Sequence, residues 1–270
     1  MSKELTFSVK TPEFEMEYAR FGNGPKALVI IPGLSIKSVV RSAAAIRSAY
    51  SVFESEYTIY LFDRKLQLGN VYNLAEMADD TVAAMRALGI NKATIYGTSQ
   101  GGMVGQYIAI KYPEVVENLV LASSSSKALP LQLEVIGHWT DLCVEGKAME
   151  FVEDFIDNAF SKSYLERYKP VLLKMYRNVT ADELQRFAVL SAACAHVDTY
   201  NDLGKIKCPV FVIGAALDHV VGAEASTIMY EKLKAEGVSC QFYMYNDYGH
   251  AAFDEAKDYR QRIYDFLQTV

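Results

Sequence analysis

Short apolar runs that alternate with helical segments are the feature that most constrains the fold of this chain. Residues 26–31 form a β-branched run that stops at Pro32, and residues 57–62 form a second run that ends at Asp63. Both runs are largely apolar rather than alternating, which is typical of strands buried on both faces of a parallel sheet. Parallel strands need crossover connections, and helical segments supply them here. We therefore predict an α/β fold with a doubly wound, mostly parallel sheet.

Helical patterns fill the connections between these runs. One helical stretch covers about residues 37–53. A clearer helix begins at Leu74, where Asn73 and Glu76 have the spacing of an N-terminal capping box, and Gly89 closes it. Further along, the same alternation predicts a strand over 93–96, a helix to about Tyr112 and a strand over 119–122.

The alternation breaks after the first half of the chain. Residues 127–203 carry helical patterns and no buried strand pattern. The sheet pattern then resumes with a strand over 210–213, a helix over 226–236, a strand over 241–245 and a closing helix over 254–267. We predict a core of residues 1–126 and 204–270 and a helical insertion of residues 127–203.

Composition and charge exclude several classes of protein. The chain has 270 residues, 51% of them hydrophobic, so a disordered chain is not expected. The net charge is -6 and no block of like charges occurs, so nothing marks a surface for nucleic acid or an anionic membrane. We expect a small-molecule substrate as the partner, with no nucleic acid and no membrane partner, while the oligomeric state stays open.

The first residues and the cysteines bear on location. The first ten residues include Lys3, Glu4 and Lys10 and have no apolar segment typical of a secretory signal. No uncharged apolar run approaches the roughly 18 residues that a membrane span needs. The four cysteines are widely spaced with no C-x-x-C pair, so we expect reduced thiols. These observations predict a cytoplasmic protein without a metal or other cofactor.

The pentapeptide Gly97-Thr98-Ser99-Gln100-Gly101 matches the pattern G-x-S-x-G between a predicted strand and a predicted helix. A serine in that turn is forced into strained backbone geometry that projects its hydroxyl above the edge of the sheet. Neighbouring Cβ atoms would clash in so tight a turn, and the two glycines remove them. We predict that Ser99 is a catalytic nucleophile in a nucleophile elbow.

A serine hydroxyl needs a base to become a nucleophile at neutral pH. His250 follows Tyr245, the expected end of the last strand, by five residues and is the predicted general base and acid. His138 and His196 lie in the helical insertion and are expected at the surface. His219 is a stronger competitor because it shares the loop where the acid is expected, although the order along the chain favours His250.

The imidazole in turn needs a carboxylate to orient it. Asp218 follows the strand over 210–213 and lies before His250, as expected for the acid in this type of fold. Glu224 and Asp247 lie nearby and are alternatives for this role. We predict Asp218 as the orienting acid.

Acyl transfer also requires hydrogen-bond donors for the developing oxyanion. The backbone N–H of Gln100, the residue after the nucleophile, is one predicted donor. The loop after the first apolar run places Gly33 where the backbone can bend toward the site, so the N–H of Leu34 is the second predicted donor.

These residues resemble the α/β-hydrolase superfamily, specifically its capped members, over about residues 6–266. The resemblance rests on Pro32-Gly33-Leu34, Gly97-Thr98-Ser99-Gln100-Gly101, the Asp218 loop and Tyr248-Gly249-His250. Two segments depart from the family pattern. The family usually has His-Gly before the oxyanion residue, and many relatives have Asp-x-Arg-Gly-x-Gly-x-Ser after the next strand. Here those segments read Pro32-Gly33 and Asp63-Arg64-Lys65-Leu66-Gln67-Leu68-Gly69-Asn70.

The resemblance implies a serine hydrolase that cleaves a small ester or related acyl substrate through an acyl-enzyme, with a helical cap inserted after the sixth strand. Aromatic residues of that cap are candidates for lining an acyl pocket: Trp139, Tyr164, Tyr168, Tyr176 and Tyr200. Carbon–carbon bond hydrolysis and cofactor-free perhydrolysis use the same triad, and small-molecule receptors of this fold can retain it, so these alternatives stay open. Dehalogenases and epoxide hydrolases of the family have aspartate in the place of Ser99 and are disfavoured.

Overall fold

Within residues 5–270, eight strands form one sheet with helices around it. The computed structural model describes residues 5–270, so Lys3 and Glu4, together with the rest of the first four residues of the predicted core, lie outside the described residues. The strands are Thr6–Lys10 (β1), Glu15–Gly22 (β2), Lys26–Ile31 (β3), Tyr57–Lys65 (β4), Ala93–Thr98 (β5), Val116–Ala122 (β6), Val210–Leu217 (β7) and Cys240–Gly249 (β8). The α-helices are Ala43–Ala49 (α1), Leu74–Ala87 (α2), Gln100–Lys111 (α3), Pro130–Val144 (α4), Ala148–Ala159 (α5), Lys162–Tyr176 (α6), Ala181–Ala192 (α7), Ala223–Ala235 (α8), Ala252–Glu255 (α9) and Tyr259–Leu267 (α10).

The order of the strands confirms the predicted α/β fold. The sheet runs β1-β2-β4-β3-β5-β6-β7-β8, with β1 and β2 antiparallel and the strands from β3 to β8 parallel. Helices cover both faces, because one apolar cluster includes residues of α2, α3 and α8 and the other includes residues of α1 and α10. The carboxyl ends of β3, β4, β5, β7 and β8 therefore meet at one edge of the sheet, which is where ligands bind in folds of this type.

Helix α2 has the ends that its sequence predicts. The Asn73 side chain accepts a hydrogen bond from the Glu76 N–H at 2.8 Å, and the Glu76 carboxylate accepts one from the Asn73 N–H at 3.0 Å. This capping box satisfies two N–H groups that a helix start leaves without partners. Gly89 follows the helix with a φ of 73°, which favours glycine.

Several strands extend beyond their predicted ends. β4 continues from Asp63 to Lys65, and β8 continues past Tyr245 to Gly249. The predicted strand over 241–245 is present, but its predicted end was wrong because the polar pair Asn246 and Asp247 interrupts the apolar pattern. Both residues are exposed, and the pairing of β7 with β8 shifts register in this region, so the strand accommodates them.

Two predicted helices are interrupted, and one hairpin was not predicted. The stretch over 37–53 is a short α-helix, α1, between two 3-10 turns. The closing helix over 254–267 is divided into α9 and α10, because Ala256 between them has extended backbone and is buried against the sheet. The antiparallel strands β1 and β2 were missed because β1 is largely exposed and lacks an apolar run.

Four helices, α4 to α7, lie between β6 and β7 and have an aromatic interior of their own. The Trp139 ring lies 4.9 Å from Phe155, and Phe151 lies 4.5 Å from Phe187, between ring centroids. The indole N–H of Trp139 donates to the Asp154 carboxylate at 2.7 Å. Trp139 is thus a core residue of the insertion rather than an exposed pocket residue.

The cysteines can be examined for disulfide bonds, and the helices for membrane spans. All four cysteines are unpaired; they are Cys143, Cys194, Cys208 and Cys240. Burial raises the pKa of Cys143 and of Cys194 to about 12, so both thiols stay protonated at neutral pH. Across residues 5–270, every helix is too short or too polar to cross a bilayer.

Candidate active site

Ser99 occupies the turn between β5 and α3 in the strained conformation that its motif predicts. Its φ is 51° and its ψ is -120°, outside the regions that a side chain normally allows. A Cβ at Gly97 would lie 2.2 Å from the Gly101 oxygen, and one at Gly101 would lie 2.0 Å from the Ile31 oxygen. Only glycine fits at either position, so the two glycines permit the turn that presents Ser99.

A buried serine supports this turn from the segment that follows the neighbouring strand β6. The Ser124 hydroxyl donates to the Ser99 carbonyl at 2.8 Å, and the N–H of Gly102 donates to the same oxygen at 2.9 Å. The four consecutive serines 123–126, which follow β6, are all buried. Ser124 was missed as a site residue because its partner is a backbone atom, which leaves no trace in sequence spacing.

His250 connects Ser99 to Asp218. Its Nε2 lies 2.9 Å from the Ser99 hydroxyl, and its Nδ1 lies 2.8 Å from Asp218 Oδ2. The other carboxylate oxygen, Oδ1, accepts hydrogen bonds from the N–H groups of Val220 at 2.9 Å and Val221 at 3.0 Å. The side chains of Ser99, His250 and Asp218 are almost completely buried. His250 follows β8 directly, not at the end of a loop, so the strand itself positions the imidazole.

The competing residues lie elsewhere. His219 and Glu224 are exposed, although both are close to Asp218 in sequence, and Asp247 is exposed on β8. His138 and His196 are also exposed, in the insertion. Of all the residues considered for the base and the acid, the structure connects only His250 and Asp218 with Ser99.

The environment of Asp218 keeps it ionised. Burial by itself would raise the pKa of this carboxyl, but His250 and the two N–H donors outweigh burial and hold the pKa below its ordinary value. A carboxylate with a pKa lower in the folded than in the unfolded protein stabilises the fold above the unfolded pKa. That stabilisation is lost as the pH falls through the folded pKa.

We expect the Asp218→Asn variant to be less stable than the wild type, and the difference to depend on pH. The difference in unfolding free energy should be largest near pH 7. It should shrink as the pH falls below about 4, the ordinary pKa of an unfolded aspartate, toward the lower pKa of Asp218 in the folded protein. Urea unfolding of both proteins between pH 7 and pH 3 measures it. Asp141→Asn, which alters an exposed carboxylate, serves as the control. A difference that stays constant over this range would contradict the expectation.

Two backbone N–H groups beside Ser99 are free to bind an oxyanion. In the described chain, neither the Leu34 N–H nor the Gln100 N–H donates a hydrogen bond to a protein atom. The loop that carries Leu34 lies against the nucleophile, because a Cβ at Gly33 would be 2.9 Å from the Ser99 Cβ. The close approach that the Pro32-Gly33 segment predicts is therefore present.

Arg64 at the end of β4 also reaches this site. Its Nη2 donates to the Pro32 carbonyl at 2.9 Å and to Gln100 Oε1 at 3.2 Å. The guanidinium is buried. In the sequence, Arg64 follows the apolar run of residues 57–62 by two positions, at the edge of the sheet where the other site residues lie. Its backbone partner at Pro32 leaves no trace in the spacing of residues, so Arg64 was missed as a site residue.

Helices of the insertion contact the core beside these residues. The Gln100 amide donates to the Leu190 carbonyl at 2.5 Å, and the Ala251 N–H donates to the Ala159 carbonyl at 2.8 Å. Arg186 of α7 donates to the Arg64 carbonyl at 3.0 Å. The insertion therefore contacts the segments next to both Ser99 and His250.

The arrangement can perform acyl transfer. Hydrogen bonds connect a hydroxyl, an imidazole and an ionised carboxylate, and two N–H groups of the adjoining segments donate to no described protein atom. The imidazole can accept the hydroxyl proton, and the carboxylate can stabilise the imidazolium that results. Within residues 5–270, no three His, Cys, Asp or Glu side chains cluster as ligands for a metal ion.

Comparisons with known proteins agree with the fold. A family described as alpha/beta hydrolase fold matches residues 42–257. The chain is 22% identical to 3-oxoadipate enol-lactonase 2 of Acinetobacter baylyi over 76% of each chain. It is 26% identical to RutD of Rhizobium rhizogenes, a proposed carbamate hydrolase, over 73% of this chain and 74% of RutD. The crystal structure of MGS-M2, an alpha/beta hydrolase enzyme from a Medee basin deep-sea metagenome, superposes with a TM-score of 0.85 over 97% of each chain at 19% identity.

Proposed function

The chain belongs to the α/β-hydrolase fold family, and we propose that it is a serine hydrolase that cleaves a small ester or lactone through an acyl-enzyme. Ser99 is the nucleophile, His250 the general base and acid, and Asp218 the residue that orients His250. The N–H groups of Leu34 and Gln100 form the oxyanion hole.

One observation carries this proposal. The Ser99 hydroxyl lies 2.9 Å from His250 Nε2 while His250 Nδ1 lies 2.8 Å from the Asp218 carboxylate, all three side chains being buried. The hydrogen bond at Nδ1 leaves Nε2 as the acceptor for the Ser99 proton. The similarity to an enol-lactonase over three quarters of the chain supports an ester-like substrate.

Acylation uses the hydroxyl and the imidazole together. Ser99 Oγ bonds to the acyl carbon while His250 Nε2 takes the hydroxyl proton, and the carbonyl oxygen becomes an oxyanion that accepts hydrogen bonds from Leu34 and Gln100. The C–O bond to the leaving oxygen then breaks, and that oxygen takes the proton from His250. In a lactone the leaving oxygen stays attached to the acyl chain.

Deacylation repeats these steps with water. His250 takes a proton from water as the water oxygen bonds to the acyl carbon. The bond to Ser99 Oγ then breaks, Ser99 regains its proton from His250, and the carboxylic acid leaves. Every step needs only the residues of this chain and water, so the proposal includes no cofactor.

We propose that residues 127–203 act as a cap over this site and limit the size of the acyl group. The contacts of Leu190 with Gln100 and of Ala159 with Ala251 support that role, because they hold the insertion beside the nucleophile and the base. Ser99 is only 6% exposed, and on this proposal a substrate enters a narrow space between the insertion and the sheet.

Turnover of a panel of substrates tests this function. We expect multiple turnovers with p-nitrophenyl acetate and butyrate and with a small lactone such as dihydrocoumarin. The octanoate ester should be cleaved at least about tenfold less efficiently in kcat/KM, because a narrow site excludes long acyl chains. A p-nitrophenyl carbamate and a vinylogous 1,5-diketone are the comparison substrates.

Each outcome of the panel has a defined reading. Turnover of esters and lactone supports the proposal. Turnover of the carbamate or the diketone without ester turnover would replace it with carbamate or carbon–carbon bond hydrolysis. Saturable binding of a small ester with no turnover would indicate a receptor instead.

A further inference from the structure

We infer that Arg64 is a positioning residue that holds both oxyanion donors in place, an inference that rests on the proposed function. It does not contact the reacting atoms. It acts through two segments, the loop that carries Leu34 and the turn that carries Gln100, and a single guanidinium nitrogen joins them.

The peptide unit between Pro32 and Gly33 is fixed at both ends. Its carbonyl accepts a hydrogen bond from Arg64 Nη2 at 2.9 Å, and its N–H donates to the Thr98 hydroxyl at 3.1 Å. A peptide unit is planar, so two hydrogen bonds at opposite ends set the orientation of the whole plane. The next peptide unit carries the Leu34 N–H, so that donor is oriented by Arg64 and Thr98 together.

The second donor is tied to the same nitrogen. Arg64 Nη2 also donates to Gln100 Oε1 at 3.2 Å, while the Gln100 amide nitrogen donates to the Leu190 carbonyl at 2.5 Å. The side chain of Gln100 is therefore held from two directions. Since the backbone N–H of the same residue is the other oxyanion donor, Arg64 sets the spacing between the two N–H groups.

The cost of burying Arg64 argues against a purely structural role. Its side chain is 3% exposed, and its Nε lacks any hydrogen-bond partner. Among the described residues no carboxylate lies within ion-pair distance of the guanidinium; Asp63 instead accepts from the backbone N–H of Arg64 at 2.7 Å. A buried charge without an ion pair destabilises a fold. A cost of this kind is typical of residues that serve a functional site, because a purely structural role would favour an apolar side chain here.

The test compares Arg64→Met and Arg64→Lys with the wild type on p-nitrophenyl butyrate. We expect Arg64→Met to lower kcat by about 10- to 100-fold with KM changed less than about threefold, because the donors act on the transition state and not on the bound ester. Affinity for a trifluoromethyl ketone, which forms a tetrahedral oxyanion on Ser99, should fall by a similar factor. Arg64→Lys keeps the charge and one donor nitrogen, so it should recover part of both losses.

Two sets of variants separate positioning from stability. Arg260, a largely buried arginine on the opposite face of the sheet, also has an unpartnered Nε, so Arg260→Met is the matched control and should leave kcat within about threefold of the wild type. If Arg64→Met does not fold, Thr98→Val and Thr98→Ser take its place. Removing the hydroxyl should lower kcat and ketone affinity about tenfold, and serine should restore both.

The outcomes distinguish this inference from the proposed function. A folded Arg64→Met variant with wild-type kcat and ketone affinity would overturn the inference while leaving the hydrolase proposal intact. A rise in KM alone would also overturn it, because that result assigns Arg64 to substrate binding. Absence of Ser99-dependent turnover in the wild type would instead overturn the function on which it rests.

Discussion

Replacing Ser99 by alanine is expected to lower kcat for ester hydrolysis by at least about 10⁴-fold and to leave the fold unchanged. Alanine removes only the hydroxyl oxygen, so no acyl-enzyme can form. The strained backbone at φ 51° is set by the surrounding turn, whose Ser99 carbonyl accepts the Ser124 hydrogen bond, and this contact does not involve the lost atom. Steady-state hydrolysis of p-nitrophenyl butyrate measures the effect.

Two controls make this result interpretable. Circular dichroism and the thermal transition of Ser99→Ala should match those of the wild type. Any residual hydrolysis by the variant should be insensitive to serine-directed inhibitors. Residual activity that such an inhibitor abolishes would indicate contamination by wild-type enzyme. Retention of more than about a tenth of wild-type kcat by pure, folded variant would contradict the assignment of Ser99 as nucleophile.

Replacing His250 by alanine should have an effect of similar size. We expect kcat to fall about 10⁵-fold, because the Ser99 hydroxyl then has no base to accept its proton and the leaving group has no acid. Asp218 cannot take over, since its carboxylate lies against Nδ1 of the lost imidazole and the N–H groups of Val220 and Val221. The same ester assay at pH 7 gives the comparison.

His219→Ala is the matched control for this prediction. His219 is adjacent to Asp218 in sequence but exposed, and the spacing of residues alone left it as a competitor for the base. Its loss should change kcat by less than about threefold. The reverse pattern, with activity lost in His219→Ala and retained in His250→Ala, would show that the base has been misassigned.

The parts of the fold that sequence could predict are those that local patterns encode. The strands from β3 to β7 were recognised because strands buried on both faces are largely apolar, and α2 was recognised from the capping box of Asn73 and Glu76. What could not be predicted depends on tertiary packing. The division between α9 and α10 follows from burial of Ala256 against the sheet, and alanine has no local tendency to end a helix.

The site shows the same division. Ser99 was marked by glycines that a tight turn requires, and the order of strands brought Asp218 and His250 to the same edge. Arg64 and Ser124 escaped notice because each acts on backbone carbonyl groups of other segments, those of Pro32 and Ser99. Every residue has a backbone carbonyl group, so the spacing of residue types in a sequence cannot reveal which carbonyl a side chain contacts.

The most direct measurement of the central claim is covalent labelling with a fluorophosphonate. Attack by an activated serine forms an O–P bond and releases fluoride, so the adduct marks the nucleophile by mass. We predict one adduct per chain, located on the peptide that contains Ser99, and no adduct in Ser99→Ala. Two results would contradict the account in a wild-type protein that hydrolyses esters: no adduct on Ser99, or an adduct on a different residue.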